Sequence, residues 1–177
     1  MAVIVVFHCM AICGCTTPIE VAQVDPRTLH QVLTRNILSR GKLNEPIRIV
    51  LTCWDLRRQI VSDPDATLTT LQGLINAGTA GSDEVYARAE PSFQHAEQTG
   101  KSPFHLAAAV YAFAFLFPES ADTPPSPYDP RWRTASDLYG RGLTLAFESS
   151  DGSRADPRGG ECNLPFSKLR VTYEGEV

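Results

Sequence analysis

The run Ser102–Phe117, SPFHLAAAVYAFAFLF, carries no Asp, Glu, Lys or Arg and places apolar residues at every helical angle. A helix apolar all round belongs in an interior. At about 1.5 Å per residue it falls short of the roughly 30 Å hydrocarbon layer of a bilayer, so the pattern predicts a buried central core helix. Ser102 is read as its N-cap, with Pro103 at the first helical position, and Pro118 as its stop. Phe113, mid-helix, is expected to meet neighbours on all sides, and its truncation to Ala to cost ~3–5 kcal/mol. His105, near the helix start, is expected at the surface or its edge.

Helix-period patterns flank this run. Asp25-Pro26, Asp63-Pro64 and Asp129-Pro130 each precede one, the Asp capping free N–H groups and the Pro occupying the first turn. The first helix is expected over about Pro26–Ser39, with Leu29, Val32, Leu33 and Ile37 inward, and Gly41 beyond its end. A second starts near Pro46, with Ile47, Val50, Leu51 and Trp54 inward. A third follows Pro64 and stops at Asn76-Ala77-Gly78, with Leu68, Leu71, Leu74 and Ile75 inward. A fourth opens at Ser82-Asp83-Glu84, turns Tyr86, Ala89, Phe93 and Ala96 inward and ends at Gly100; Pro91 should kink or split it. So short a connection makes it antiparallel to the central helix. A sixth covers about Pro130–Phe147. After turn chemistry at Asp151-Gly152-Ser153, Lys168–Tyr173 alternates as a short strand does. The expected fold is mainly α: about six helices in antiparallel, tetratricopeptide-like hairpins around a buried central helix, with a short C-terminal β segment. No second copy recurs at a fixed period.

The first residues follow a different logic. Ala2–Ile12 has the length of a signal-peptide apolar region, too short to span a membrane. Ile12-Cys13-Gly14-Cys15 then looks like a bacterial lipobox, with Cys15 the lipidated residue and Thr16-Thr17-Pro18 the start of a tether. No Lys or Arg precedes the apolar region, a departure from the usual pattern. The competing reading, a metal or redox cluster of His8, Cys9, Cys13 and Cys15, lacks the paired spacings of a structural zinc site. The organisation expected is therefore signal and lipobox over 1–15, tether over 16–24, helical domain over 25–147, and turn plus short strand over 148–177.

Totals narrow the function. The 177 residues, 43% hydrophobic, suffice for one sizeable core. A net charge of −4 with no basic stripe argues against a nucleic-acid partner. Cys53 and Cys162 are the one pair beyond the signal that could bridge, against the default of free thiols. No G-x-S-x-G, phosphate-cradling Gly loop, H-E-x-x-H or repeated C-x-x-C occurs. His95 and His105 flank one turn and could approach each other, with Glu97 near in sequence; structural histidines are the blander reading. Arg131, Arg133 and Arg141 read as a solvated helix face, and Tyr111 and Tyr139 as core aromatics with a polar tip at the edge. No catalytic residue, metal site or cofactor is assigned.

The phrases AEPSFQHAEQTGKSPFHLAAAVYAFAFLFP (Ala89–Pro118) and YDPRWRTASDLYGRGLT (Tyr128–Thr144) resemble the helical region of a family of bacterial lipoprotein α/β-hydrolases, similar to esterases or lipases. Gly14-Cys15, Val24-Asp25, Leu33–Ser39 and Leu164-Pro165-Phe166 fit the same layout, so the resemblance spans nearly all of residues 14–173. Pro91 departs from it. In that family the helical region lies between a lipobox and the hydrolase sheet, and the catalytic Ser, acid and His lie beyond the residues matched here. The resemblance implies a non-catalytic helical N-terminal domain of an exported, lipid-anchored protein in the cell envelope, the chain being truncated or partial. Thr16 after the cysteine, by analogy, favours the outer membrane. Its expected partners are the membrane, through the anchor, and a protein or the C-terminal hydrolase domain. The alternative is an independent helical-repeat-like lipoprotein that binds a protein partner.

Overall fold

The computed structural model describes residues 23–33, 36–118, 124–148 and 159–172, without the side chains of residues 32 and 33. The signal, Cys15 and most of the tether lie outside the described residues, as do the Asp151-Gly152-Ser153 turn and Tyr173. The fold is mainly helical. In order come α1 (Pro26–Leu33), α2 (Ile37–Arg40), α3 (Glu45–Cys53), α4 (Gln59–Ser62), α5 (Pro64–Asn76), α6 (Ser82–Thr99), α7 (Ser102–Leu116) and α8 (Pro130–Ala146), then the strands β1 (Gly160–Leu164) and β2 (Ser167–Val171).

All three Asp-Pro signals open helices. Asp25 Oδ2 accepts from Thr28 N at 3.0 Å, Asp63 Oδ1 from Ala66 N at 2.9 Å, and Asp129 Oδ1 from Arg131 N at 2.8 Å. Each carboxylate satisfies an N–H that the first turn leaves unpaired. The expected first helix is two, because Asn36 starts a new one: it accepts from Ser39 N at 2.9 Å, and Ser39 Oγ accepts from Asn36 N at 3.1 Å. Gly41, at φ 64°, closes that short helix in the left-handed conformation glycine tolerates. Leu29 stays 47% exposed and Trp54 40% exposed, so neither belongs to the inner face expected for it.

Helices α6 and α7 turn through Gly100, at φ 67°, and pack along each other; α8 lies along α7. The core runs through Ile47, Leu51, Leu71, Tyr86, Phe93, Ala108, Ala112, Phe115 and Leu138. Helix α6 also meets α2, α3, α5 and α8, so the centre is shared by the α6–α7 hairpin. Pro91 sits buried inside α6, which continues through it over eighteen residues instead of splitting. Ser102 is the first residue of α7 and not its cap: its Oγ donates to Ala146 O of α8 at 3.2 Å, and the cap position is Lys101.

The apolar circumference of α7 is not buried on every side. Ala107, Ala108, Ala109, Ala112 and Phe115 face its neighbours, but Phe113 is 43% exposed and Phe117 also lies open. Phe113 packs on Phe117 and Tyr139 at centroid distances of 5.0 and 5.5 Å. His105, expected at the edge, is 9% exposed.

The C-terminal β segment is a hairpin of two antiparallel strands, paired from Gly160↔Val171 to Leu164↔Ser167 around Pro165-Phe166. Cys162, Leu164, Leu169 and Val171 form its half-buried face, and Glu161, Asn163, Lys168 and Arg170 are exposed. Cys162 pairs across strands with Leu169, and Cys53 lies exposed on α3; both are free thiols.

Candidate functional site

Helix α6 buries Arg88, Glu90, Ser92 and His95, polar side chains that the sequence reading left off its inner face. Arg88, Ser92 and His95 recur at four- and three-residue intervals and so share one side of the helix. That spacing was legible, but residues of these types more often make a solvated face.

On one side, Arg88 is fully buried between the rings of Tyr111 and Phe166, with its guanidinium carbon 4.3 and 4.6 Å from their centroids. Its Nη1 donates to Gln72 Oε1, which also accepts from the Tyr111 hydroxyl, whereas Nε and Nη2 have no hydrogen-bond partner. Removal from water disfavours the cation and lowers its pKa to about 10. Tyr111 thus fits the edge-reaching aromatic expected of it. Phe166, at the hairpin tip, also meets Phe104 edge-on at 6.4 Å, so Arg88 and Phe104 together seat the hairpin.

On the other side, Asn44 caps α3 and joins it to α6. Its Oδ1 accepts from Ile47 N at 3.1 Å, its Nδ2 donates to Tyr86 Oη at 2.7 Å, and its N–H donates to Glu90 Oε2 at 2.8 Å. Glu90 Oε1 has no hydrogen-bond partner. Burial pushes the Glu90 carboxyl up to about 8 against the opposing pull of the Asn44 N–H, and burial raises Tyr86 as well.

The two histidines do not form a pair. His95 Nε2 lies 3.1 Å from Asp65 Oδ1, within ion-pair distance but without hydrogen-bond alignment, and His105 Nε2 lies 3.1 Å from Glu97 Oε1. Glu97 is therefore a partner of His105 in space and not in sequence alone. Ser92 Oγ has no hydrogen-bond partner. Among the described residues no group of three or more His, Cys, Asp and Glu is placed to hold a metal ion.

Arg131 corrects the solvated-face reading. It bonds Asp129 through Nε at 3.0 Å and Nη2 at 2.8 Å, reaches Asp83 through Nη1 at 2.5 Å, and covers the Phe115 ring at 5.0 Å. This pairing holds the Asp129 carboxyl below the usual range and raises Arg131. Arg133 and Arg141 are exposed as expected, Arg141 lying 5.7 Å from the Phe93 centroid.

A cleft of about 540 Å³ lies between α3, α4 and α6. Lys42, Arg48 and Arg57 line it with Leu43, Leu51, Ile60 and Pro64, and α6 contributes Pro91, Gln94, His95 and Gln98. No carboxylate lines it among the described residues. Arg48 is paired with Glu45 at 2.6 Å. Its cations come from three separate connections and helices, so nothing in the one-dimensional pattern marked them. The arrangement can bind an anion, and it does not set a nucleophile against a base.

Among the described residues no helix is long and apolar enough to cross a membrane. Comparison with models of protein families, with curated proteins and with solved structures finds no match to this chain.

Proposed function

We propose that the chain is the non-catalytic helical N-terminal domain of an exported, lipid-anchored α/β-hydrolase-like protein, tethered to the cell envelope through Cys15. The observation that carries this reading is the hairpin. Two strands by themselves are marginal in water, yet this pair is seated on the bundle by Phe166, under which Arg88 and Phe104 lie. Among the described residues neither strand has a second neighbour, so each offers a row of N–H and C=O groups to a further strand. A hydrolase sheet that continues from this hairpin is what the sequence resemblance implies.

Sequencing the coding DNA that follows codon 177 tests the hydrolase part. A G-x-S-x-G in frame or in a shifted frame is expected, and unrelated sequence overturns it. The anchor is tested by labelled palmitate, which should enter the wild-type protein and not Cys15→Ala; equal incorporation into both ends the lipobox reading. Stable anchoring takes more than one acyl chain, each buried CH₂ contributing ~0.8 kcal/mol.

A second reading, an independent lipoprotein that binds a protein partner, is favoured by the exposed Phe113 and Phe117 rings beside Tyr139. It predicts that Phe113→Ser with Phe117→Ser abolishes a saturable, stoichiometric complex with that partner while keeping the wild-type circular dichroism and a cooperative thermal transition.

A further inference from the structure

We propose that the cleft between α3, α4 and α6 binds an amphiphilic carboxylate, a medium-chain fatty acid, with its head group at Lys42, Arg48 and Arg57. Its volume, about 540 Å³, lies within the roughly 300–1,000 Å³ range of small-molecule sites. Two features set its chemistry. Lys42 and Arg57 are exposed and have no ion-pair partner among the described residues, so their charge is free for a ligand. Of the three cations Arg48 alone is partly neutralised, by Glu45, and no acid lines the walls to compete. One anionic head group is therefore favoured at that rim.

Leu43, Leu51, Ile60, Val61, Pro64 and Pro91 form the apolar part of the wall, beside Gln94 and Gln98. Polar anions as small as inorganic phosphate have no use for it, whereas an acyl chain removes it from water at roughly 25 cal/mol per Å². His95 adds a built polar element. It is 6% exposed and lines the cleft next to Gln94 and Gln98; its Nε2 lies 3.1 Å from Asp65 Oδ1, and its Nδ1 has no hydrogen-bond partner. A buried imidazole nitrogen without a partner is costly, and a ligand oxygen within the cleft would satisfy it. The inference is independent of the hydrolase reading, since it uses neither the hairpin nor Cys15.

Calorimetric titration of the full chain with sodium decanoate, below its micelle concentration, tests the proposal. Saturable one-to-one binding is expected, at least tenfold weaker for decanol, which has the chain without the charge. The Lys42→Gln, Arg57→Gln double variant changes only exposed side chains and should keep the wild-type circular dichroism while weakening decanoate at least tenfold. Absence of decanoate binding overturns the proposal, as does decanol binding equal to decanoate or a double variant of unchanged affinity. Inorganic phosphate binding as tightly as decanoate overturns the role of the chain. Binding to phosphatidylglycerol vesicles that the double variant loses, with no response to decanoate, assigns the cations to a membrane surface instead.

Discussion

Phe113 and Phe115, two residues apart on α7, stand in opposite environments. Phe115 is 1% exposed, with its ring 4.8 Å from Tyr86 and covered by Arg131. Phe113 keeps nearly half its surface in water. A helix advances about 100° per residue, so two positions apart is close to the opposite face. Phe115→Ala should cost ~3–5 kcal/mol, from lost burial plus a cavity the neighbours cannot close, and Phe113→Ala about 1 kcal/mol or less. Urea denaturation of both variants measures the difference; equal costs would mean that α7 is covered on both faces. The all-apolar pattern could not separate them: it marks both as large and apolar, and it put Phe113 in contact on all sides, which its exposure corrects.

At the scale of elements, the contact between α7 and α8 turns on a single hydrogen. A Cβ placed on Gly142 would stand 2.8 Å from His105 O and 3.1 Å from Ala109 Cβ, so α8 presses directly on the α7 backbone. Gly140, in the same helix, has nothing within 4 Å of such an atom. Gly142→Ala should therefore destabilise by about 1–3 kcal/mol through overpacking, although alanine is the better helix former. Gly140→Ala should stabilise by up to about 1 kcal/mol. Thermal or urea unfolding of the two variants should give shifts of opposite sign, and a stabilising Gly142→Ala would place the two helices further apart than described. Small residues at Ala107–Ala109 are plain in the sequence; that Gly142 is their counterpart is not, since two glycines in YGRGL look alike.

Over the whole molecule, the buried Glu90 makes stability depend on pH. Its carboxyl is raised from 4.5 to about 8, with burial the leading cause. Between those values the unfolded chain is ionised while the folded chain holds the proton. Folding is therefore most favoured by this group below about pH 4.5, and its contribution declines as pH rises towards 8, by at most ~1.4 kcal/mol per pH unit. Above about pH 8 both states are ionised and the loss levels off. Glu90→Gln, which keeps an acceptor for the Asn44 N–H, should flatten this slope and be more stable than wild type at pH 8. Urea midpoints at pH 5, 6.5 and 8 for both proteins check it; parallel declines would assign the pH dependence to other groups.

What the sequence determined by itself is local. The three Asp-Pro caps, the glycine that ends α6 and the antiparallel turn into α7 all rest on interactions within a few residues, and each stands where the pattern put it; the alternation at Lys168–Val171 likewise marked the strand β2. The break at Asn36 was local too, but it competes with a helical period that runs through it. The strand β1, GECNL, has too few β-branched residues to announce itself and forms because β2 pairs with it. Tertiary structure decided the rest. Which side of an all-apolar helix meets water depends on how many neighbours surround it, and α7 has α6 and α8 but leaves Phe113 open. Whether Arg88, Glu90 and His95 are solvated or buried depends on helices up to forty or more residues away in the chain, as Asn44 and Glu90 illustrate. The cleft exists only because Lys42, Arg48 and Arg57 are carried to one rim by separate elements, a long-range closure that no spacing along the chain encodes.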